Sequence, residues 1–234
     1  VKLRFGDEDG LINTIRLIAF RKGKLGELLS KGVKKAAEEV GGDADKFAMH
    51  VKGLEMPAYD PRGNYGMGLA YATSERGACH LRAFTVFEDE PFKLKSMAKS
   101  VMDGQNANAA KWSVGLCDFW GSVDANIMAD LLTEGLGTQV SAEDLLKAGE
   151  RIWNLVRVFN LKAGFKASDD TLSEKLLKKA LKGGPHEGRV LPKEQLEEMK
   201  GLYYQMRGWD EEGRPKREKL RALGIEGLYY SDGV

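Results

Sequence analysis

The chain has 234 residues, 42% hydrophobic and 30% charged, and its 36 basic and 35 acidic side chains leave a formal charge of +1. That is the composition of a folded globular protein with enough chain for a real core, in one large domain or two small ones. It excludes a strongly basic nucleic-acid face, a polybasic membrane patch and, since no apolar run reaches the roughly 18 residues required, a transmembrane helix.

The opening stretch, Val1-Lys2-Leu3-Arg4-Phe5-Gly6-Asp7, lacks the apolar centre of a signal peptide and starts without Met inside a patterned segment, as a piece of a longer chain would. From Gly10 to Gly41 the spacing predicts helix in two or three pieces. Leu11, Ile12, Ile15, Ile18 and Ala19 recur at helical intervals, as do Leu28, Leu29, Val33, Ala36 and Ala37, with Gly23, Gly26 and Gly32 as punctuation. Residues 43–90 hold Pro57, Pro61, Gly63, Gly66, Gly68 and Gly77 with little sustained period, which predicts a long structured loop region with at most short helices. A loop of that length in a compact domain is usually functional.

Further along, 91–120 reads as helix with an interruption at Gly115 and a second stretch ending at Gly121, and 123–132 reads as helix through Ile127, Leu131 and Leu132. Ser141 and Asp144 have the spacing of a capping box for a helix to about Leu161. Ile152, Leu155, Val156, Val158 and Phe159 predict a broad buried face on that helix. Ser168 or Asp169 is placed to cap a segment at 172–181, and 191–208 forms another helix with Leu196, Met199, Leu202 and Tyr203 on one side. Pro215 suits the first turn of a last helix, 216–223, with Gly224 at its C-cap. Strand signals are few, so the fold class is mainly α: multi-helical, with a long Gly/Pro-rich structured loop region. Two cysteines, Cys79 and Cys117, argue against a disulfide framework and for a reducing, cytoplasmic setting. Local clusters such as Lys34-Lys35 and Lys178-Lys179 have acidic neighbours and read as solvated helix faces.

Four stretches carry a likeness beyond composition. Val51-Lys52-Gly53-Leu54-Glu55-Met56-Pro57-Ala58-Tyr59-Asp60-Pro61-Arg62-Gly63 is followed by Gly68-Leu69-Ala70-Tyr71-Ala72-Thr73-Ser74-Glu75-Arg76-Gly77-Ala78-Cys79-His80. Then come Glu150-Arg151-Ile152-Trp153-Asn154-Leu155 with Phe159-Asn160, and Tyr203-Tyr204 with Arg207-Gly208-Trp209-Asp210 and Gly213-Arg214-Pro215. In this order, from about residue 6 to residue 228, the chain resembles the aldehyde ferredoxin oxidoreductase family. The resemblance implies a tungsten (or molybdenum) bis-pterin cofactor, a [4Fe-4S] cluster and a magnesium ion between the pterin phosphates. It implies that 1–90 is the end of a second helical domain with the active-site loops, and 91–234 a third helical domain carrying the cluster cysteine. The N-terminal pterin-binding β domain would lie outside this chain. The implied reaction turns an aldehyde into a carboxylate with oxygen from water, the electrons leaving through the cluster to ferredoxin. The remainder of the enzyme, ferredoxin and the aldehyde are the implied partners, with room for a homo-oligomer.

The resemblance also assigns residues. Gly115-Leu116-Cys117 matches a motif that brings a pterin edge beside a cluster cysteine, so Gly115 and Leu116 would offer backbone to the ring and Cys117 one thiolate to iron. Trp112 stands where the family has an aspartate that hydrogen-bonds the pterin. The family's three other cluster cysteines have no counterpart in this sequence. His80 and Tyr59 match a histidine and a tyrosine near the metal, and Arg82 a basic residue on the pterin or its phosphate. Imidazole and phenol can both donate to a carbonyl oxygen as charge develops. Plainer readings stand beside these: Cys117 as a buried structural thiol, His80 as a backbone-satisfied loop histidine, Tyr59 as loop packing, Arg82 as a surface ion pair. Cys79 reads as a packed small residue, and Trp153, Trp209, Tyr203 and Tyr204 as core or interdomain aromatics. Two rival functions share the pattern: the tungsten subunit of an aromatic acyl-CoA reductase, and a non-catalytic helical binding module, which Trp112 favours.

Overall fold

A computed structural model describes residues 3–88, 90, 92–121 and 123–230. Val1 and Lys2 of the opening stretch, and residue Pro91 from which a helix is expected, lie outside them. The elements in order are α1 (Glu8–Ala19), α2 (Gly23–Leu29), α3 (Val33–Val40), α4 (Ala44–Phe47), a hairpin of β1 (His50–Val51) and β2 (Leu54–Glu55), and α5 (Tyr65–Thr73). Then follow α6 (Leu94–Ser113), α7 (Ala125–Leu136), α8 (Ala142–Lys162), a 3-10 turn at Ala167–Asp169, α9 (Glu174–Lys178), α10 (Lys193–Arg207), α11 (Arg217–Ala222) and α12 (Gly227–Tyr230). The fold is mainly α, with one two-stranded antiparallel sheet among the described residues, His50 opposite Glu55 and Val51 opposite Leu54. No helix among them is long and apolar enough to cross a membrane.

The centre is α5, inside the expected loop region. Its sequence Tyr65-Gly-Met-Gly-Leu-Ala-Tyr-Ala-Thr73 is apolar on every side, and every residue after Tyr65 is buried. A helix apolar all round belongs in a core, and its small residues conceal the one-sided period that would announce it. Asn64 caps it by accepting from Met67 N, while the Asn64 amide donates to the Thr85 carbonyl at 2.5 Å. Around α5 gather Met97, Ala98 and Val101 of α6, Trp153 of α8, Leu172 and Leu176, and Leu196, Met199, Tyr203 and Tyr204 of α10. This core joins residues on both sides of position 90. A smaller cluster, Ala110, Met128, Ala129 and Leu145, ties α6 to α7 and α8. Trp153, Trp209, Tyr203 and Tyr204 are all buried in the main core.

Several boundaries differ from the sequence expectations. The Ser141–Asp144 capping box is present and α8 runs as expected. Its buried face, however, is Leu145, Gly149, Trp153, Asn154, Arg157, Val158 and Asn160, while Phe159 is 70% exposed and Leu155 is also exposed. Polar residues hold that face because their hydrogen bonds are made inside: Asn154 Oδ1 accepts from Trp209 Nε1 at 2.7 Å, and Asn160 Nδ2 donates to the Glu75 carbonyl at 2.7 Å. The stretch from Gly115 to Gly121 is turns, not helix. The helix expected at 172–181 shrinks to α9, preceded by Ser173; Asp169 instead closes the 3-10 turn by accepting from Lys166 N. Pro215 does not open α11 but pairs with Trp209 in an isolated bridge. Leu11, Ile12 and Ile15 of α1 are exposed.

Where α8 crosses α6 the backbones touch. A Cβ on Gly149 would sit 2.0 Å from the Asn106 carbonyl oxygen and 3.2 Å from Ala110 N. Gly149→Ala is therefore expected to force the helices apart and cost about 1–3 kcal/mol, more than its gain in helix propensity. A fall in the urea midpoint checks this; an unchanged or raised midpoint would show that the crossing yields.

Candidate active site

The hairpin turn, Lys52-Gly53, places both residues at positive φ, 51° and 91°, as two-residue hairpin turns require. Lys52 is held there by its side chain, which runs inward. Its ammonium donates to the carbonyls of Ala72 (2.5 Å) and Ser74 (3.0 Å) at the end of α5 and pairs with Asp170 at 2.7 Å. Gly77, at φ +108°, lies so close to the turn that a Cβ there would be 2.1 Å from the Val51 carbonyl oxygen. Hairpin and α5 thus fix the start of the loop that carries His80 and Arg82.

Asn108 of α6 fixes the loop's far side, its amide donating to the carbonyls of Leu81 (2.7 Å) and Arg82 (3.3 Å). Tyr59 is anchored through its own carbonyl, which accepts from the buried Tyr71 hydroxyl at 3.0 Å. Burial pushes the Tyr71 phenol well above its usual range, so it remains a donor. Next to Tyr59, burial raises the Asp60 carboxyl, but hydrogen bonds from the Arg62 side chain and backbone outweigh it and leave the group below its usual range. The Arg62–Asp60 pair (2.5 Å), with Arg62 Nη1 on the Lys179 carbonyl (2.8 Å), makes this segment a rigid wall.

Tyr59 and His80 meet. Their ring centroids are 5.2 Å apart, and Phe84 packs edge-on to both, at 5.0 Å and 6.1 Å. Neither the Tyr59 hydroxyl nor the His80 imidazole has a hydrogen bond to another described residue. Both line a cavity of about 540 Å³ together with Phe84, Phe87, Gly104, Asn108, Lys111, Asp118 and Phe119. Two free donors against an aromatic wall form a site that can orient a carbonyl group.

Arg82 does not line this cavity. It pairs with Glu75 at 2.5 Å, and its guanidinium stacks on the Trp112 ring at 4.0 Å. Trp112 Nε1 in turn donates to Asp118 Oδ1. Position 112 has no carboxylate, but a carboxylate six residues on is tied to the same indole.

Gly115, at φ +76°, has nothing within 4 Å of where a Cβ would be, so its backbone is open to approach. Leu116 is partly buried against the α6–α7–α8 cluster, and Cys117 is exposed. Within this chain Cys117 is thus not packed in the core as the plainer reading of a structural thiol has it. Asp118 and Phe119, the next residues, share the cavity with His80, so the turn and the histidine loop border one space. Among the described residues no group of three or more His, Cys, Asp or Glu side chains is arranged to hold a metal ion. An accessible thiol beside an open glycine fits one corner of an iron–sulfur cluster whose other ligands come from elsewhere. Cys79, by contrast, is buried, with Arg76 Nη2 3.0 Å from its sulfur.

Sequence reasoning missed Asn108, Lys111, Asp118 and Phe84. A signal for two of them was there: Gly104, Asn108 and Lys111 fall at i, i+4 and i+7, one stripe of α6.

The profile for "Aldehyde ferredoxin oxidoreductase, domains 2 & 3" matches residues 1–225. Among curated proteins, the tungsten-containing aldehyde ferredoxin oxidoreductase of Thermococcus kodakarensis is 41% identical over 95% of this chain and 38% of its own length. That of Pyrococcus furiosus is 40% identical over 97% of this chain, again 38% of its length. A "WOR-like subunit" of an aliphatic sulfonate oxidoreductase from P. furiosus is 26% identical over 96% of the chain. The chain thus spans well under half of these relatives. Among solved structures, the BamBC active-site complex of benzoyl coenzyme A reductase has the same fold, with a TM-score of 0.70 at 20% identity over 98% of this chain and 42% of that one.

Proposed function

Because the chain belongs to the aldehyde ferredoxin oxidoreductase family, in its domains 2 and 3, we propose that it forms part of a tungsten-pterin, iron–sulfur enzyme oxidising aldehydes to carboxylic acids, with ferredoxin as acceptor. The division near residue 90 into the end of one helical domain and the whole of the next belongs to this proposal, as does partnership with the rest of the enzyme. The observation that carries it is the convergence of the free Tyr59 and His80 donors on one cavity, bordered by the turn that exposes Cys117.

The balance is R–CHO + H2O → R–COO⁻ + 3 H⁺ + 2 e⁻. The bound tungsten-pterin supplies the two-electron acceptor. His80 and Tyr59 hold the aldehyde oxygen by hydrogen bonds, strongest when that oxygen is most negative. Neutral imidazole can also accept a proton released from water or from the aldehyde hydrate. Phe84 and Phe119 offer aromatic surface to the apolar part of the substrate. The Gly115-Leu116 backbone would face the pterin edge, and Cys117 would supply one thiolate. Arg82 would meet a phosphate through the guanidinium nitrogens that its Nε–Glu75 pair leaves unused, and its stacking on Trp112 braces the turn from behind.

The test is the complete enzyme. Tungsten, pterin and iron are expected in the protein, and an aldehyde panel is expected to reduce a viologen dye. A metal-loaded enzyme inert toward every aldehyde but active on an aromatic acyl-CoA would replace this reading with a reductase. Absence of metal and pterin from the complete protein would leave a binding module.

A further inference from the structure

Lys111 carries a charge in the cavity that the proposed reaction does not use. It is 8% exposed and lines the same space as Tyr59 and His80. Its one hydrogen bond goes from Nζ to the Trp120 carbonyl at 3.3 Å, out of the three an ammonium can donate. No carboxylate among the described residues is within ion-pair distance. The other deeply placed lysines are paired: Lys52 with Asp170 at 2.7 Å, and Lys200 with Glu197 at 2.6 Å. Buried cations are ordinarily paired because desolvation is costly.

Two local features explain where the ammonium sits without neutralising it. Lys111 lies in the last turn of α6, where carbonyl dipoles favour a cation. The Trp120 carbonyl adds a partial charge only. Asp118 lines the cavity too, but it is bonded to Trp112 Nε1 and beyond pairing distance of Lys111. A mostly buried ammonium with spare donors, in a cavity with the Tyr59 and His80 donors and an aromatic wall, is a site for a carboxylate.

We propose that Lys111 is the carboxylate-binding residue of this cavity. The carboxylate belongs either to the substrate itself, as in an oxo acid, or to the acid product. The source rests on the aldehyde oxidation proposed above; the binding does not.

The complete enzyme is compared with Lys111→Met, which keeps length and loses charge, and Lys111→Arg, which keeps charge. Butanoate, and not butanamide, is expected to raise the melting temperature of the wild type and Lys111→Arg, and Lys111→Met to lose that shift. Turnover separates the two sources. If the substrate's own carboxylate is bound, the kcat/KM preference for 4-oxobutanoate over its methyl ester falls about tenfold or more in Lys111→Met. If the product's is bound, that ratio stays flat and the inhibition constant of butanoate against butanal rises about tenfold. Wild-type protein that treats butanoate and butanamide alike overturns the proposal, whatever the variants' stability. So does a Lys111→Met enzyme with wild-type ratio and inhibition constant. Carboxylate-specific stabilisation in an enzyme that oxidises no aldehyde would keep Lys111 and remove the reaction.

Discussion

Asp170→Asn is expected to destabilise this protein by about 3–5 kcal/mol, the cost of breaking a buried ion pair by removing one partner. Asp170 is fully buried, and it faces two buried cations: Lys52 Nζ is 2.7 Å from Oδ1 and Arg157 Nη1 is 2.8 Å from Oδ2. The Tyr204 hydroxyl also donates to Oδ2, at 2.5 Å. Burial drives the Lys52 ammonium below its usual range even with that carboxylate beside it, because taking the charge out of water offsets much of the attraction. The members of this network compensate one another, and the loss of the single anion leaves two desolvated cations. Against a total of about 5–15 kcal/mol for a typical domain, this is a large fraction. Urea denaturation followed by circular dichroism measures it, with Asp169→Asn as the control. Asp169 is exposed, and its bond to Lys166 N is worth about 1 kcal/mol. Equal losses for the two variants would show that Asp170 is not the hub. The hub matters for the site because Lys52 also holds the carbonyls of Ala72 and Ser74, from which the His80 loop departs.

Long helices with one-sided spacing were legible in the sequence: α6, α7, α8 and α10 lie where periodicity puts them, and the Ser141–Asp144 box is present in detail. Helix α5 was not, because a wholly buried helix has no polar side to set against its apolar one. Nor was the inner face of α8, where Asn154, Arg157 and Asn160 are buried and Phe159 is exposed. Hydrophobic spacing cannot register a polar group whose partners come from distant segments, such as Gly213 for Arg157 or Glu75 for Asn160. Arg207 is the extreme case. A charged residue at the end of a helix, it is fully buried, donating to Gln105 (2.7 Å), Asn106 (2.5 Å) and the Tyr203 hydroxyl (3.0 Å). In the site, likeness to a family singled out Tyr59, His80 and Cys117, whereas Asn108, Lys111 and Asp118 emerged only when α6 and the following turn were set against the histidine loop.

His80→Leu in the complete enzyme is expected to lower kcat by about a hundredfold or more, the usual scale for losing a general acid–base group. The effect should fall on kcat more than on KM. An aldehyde in its ground state gains little from the imidazole hydrogen bond, while an oxygen taking on negative charge gains much. Tyr59→Phe should do less, since His80 remains as a second donor in the same cavity. If both groups hold one oxygen, the double variant will lose less than the product of the single losses. Packing offers the competing account: His80 is ringed by Tyr59 at 5.2 Å and Phe84 at 6.1 Å, so its removal could simply loosen the wall. His80→Phe separates the two, because it restores an aromatic ring and withholds the donor. Wild-type kcat in His80→Phe would leave the imidazole no part in the chemistry, whereas a loss as deep as that of His80→Leu assigns the effect to the nitrogen.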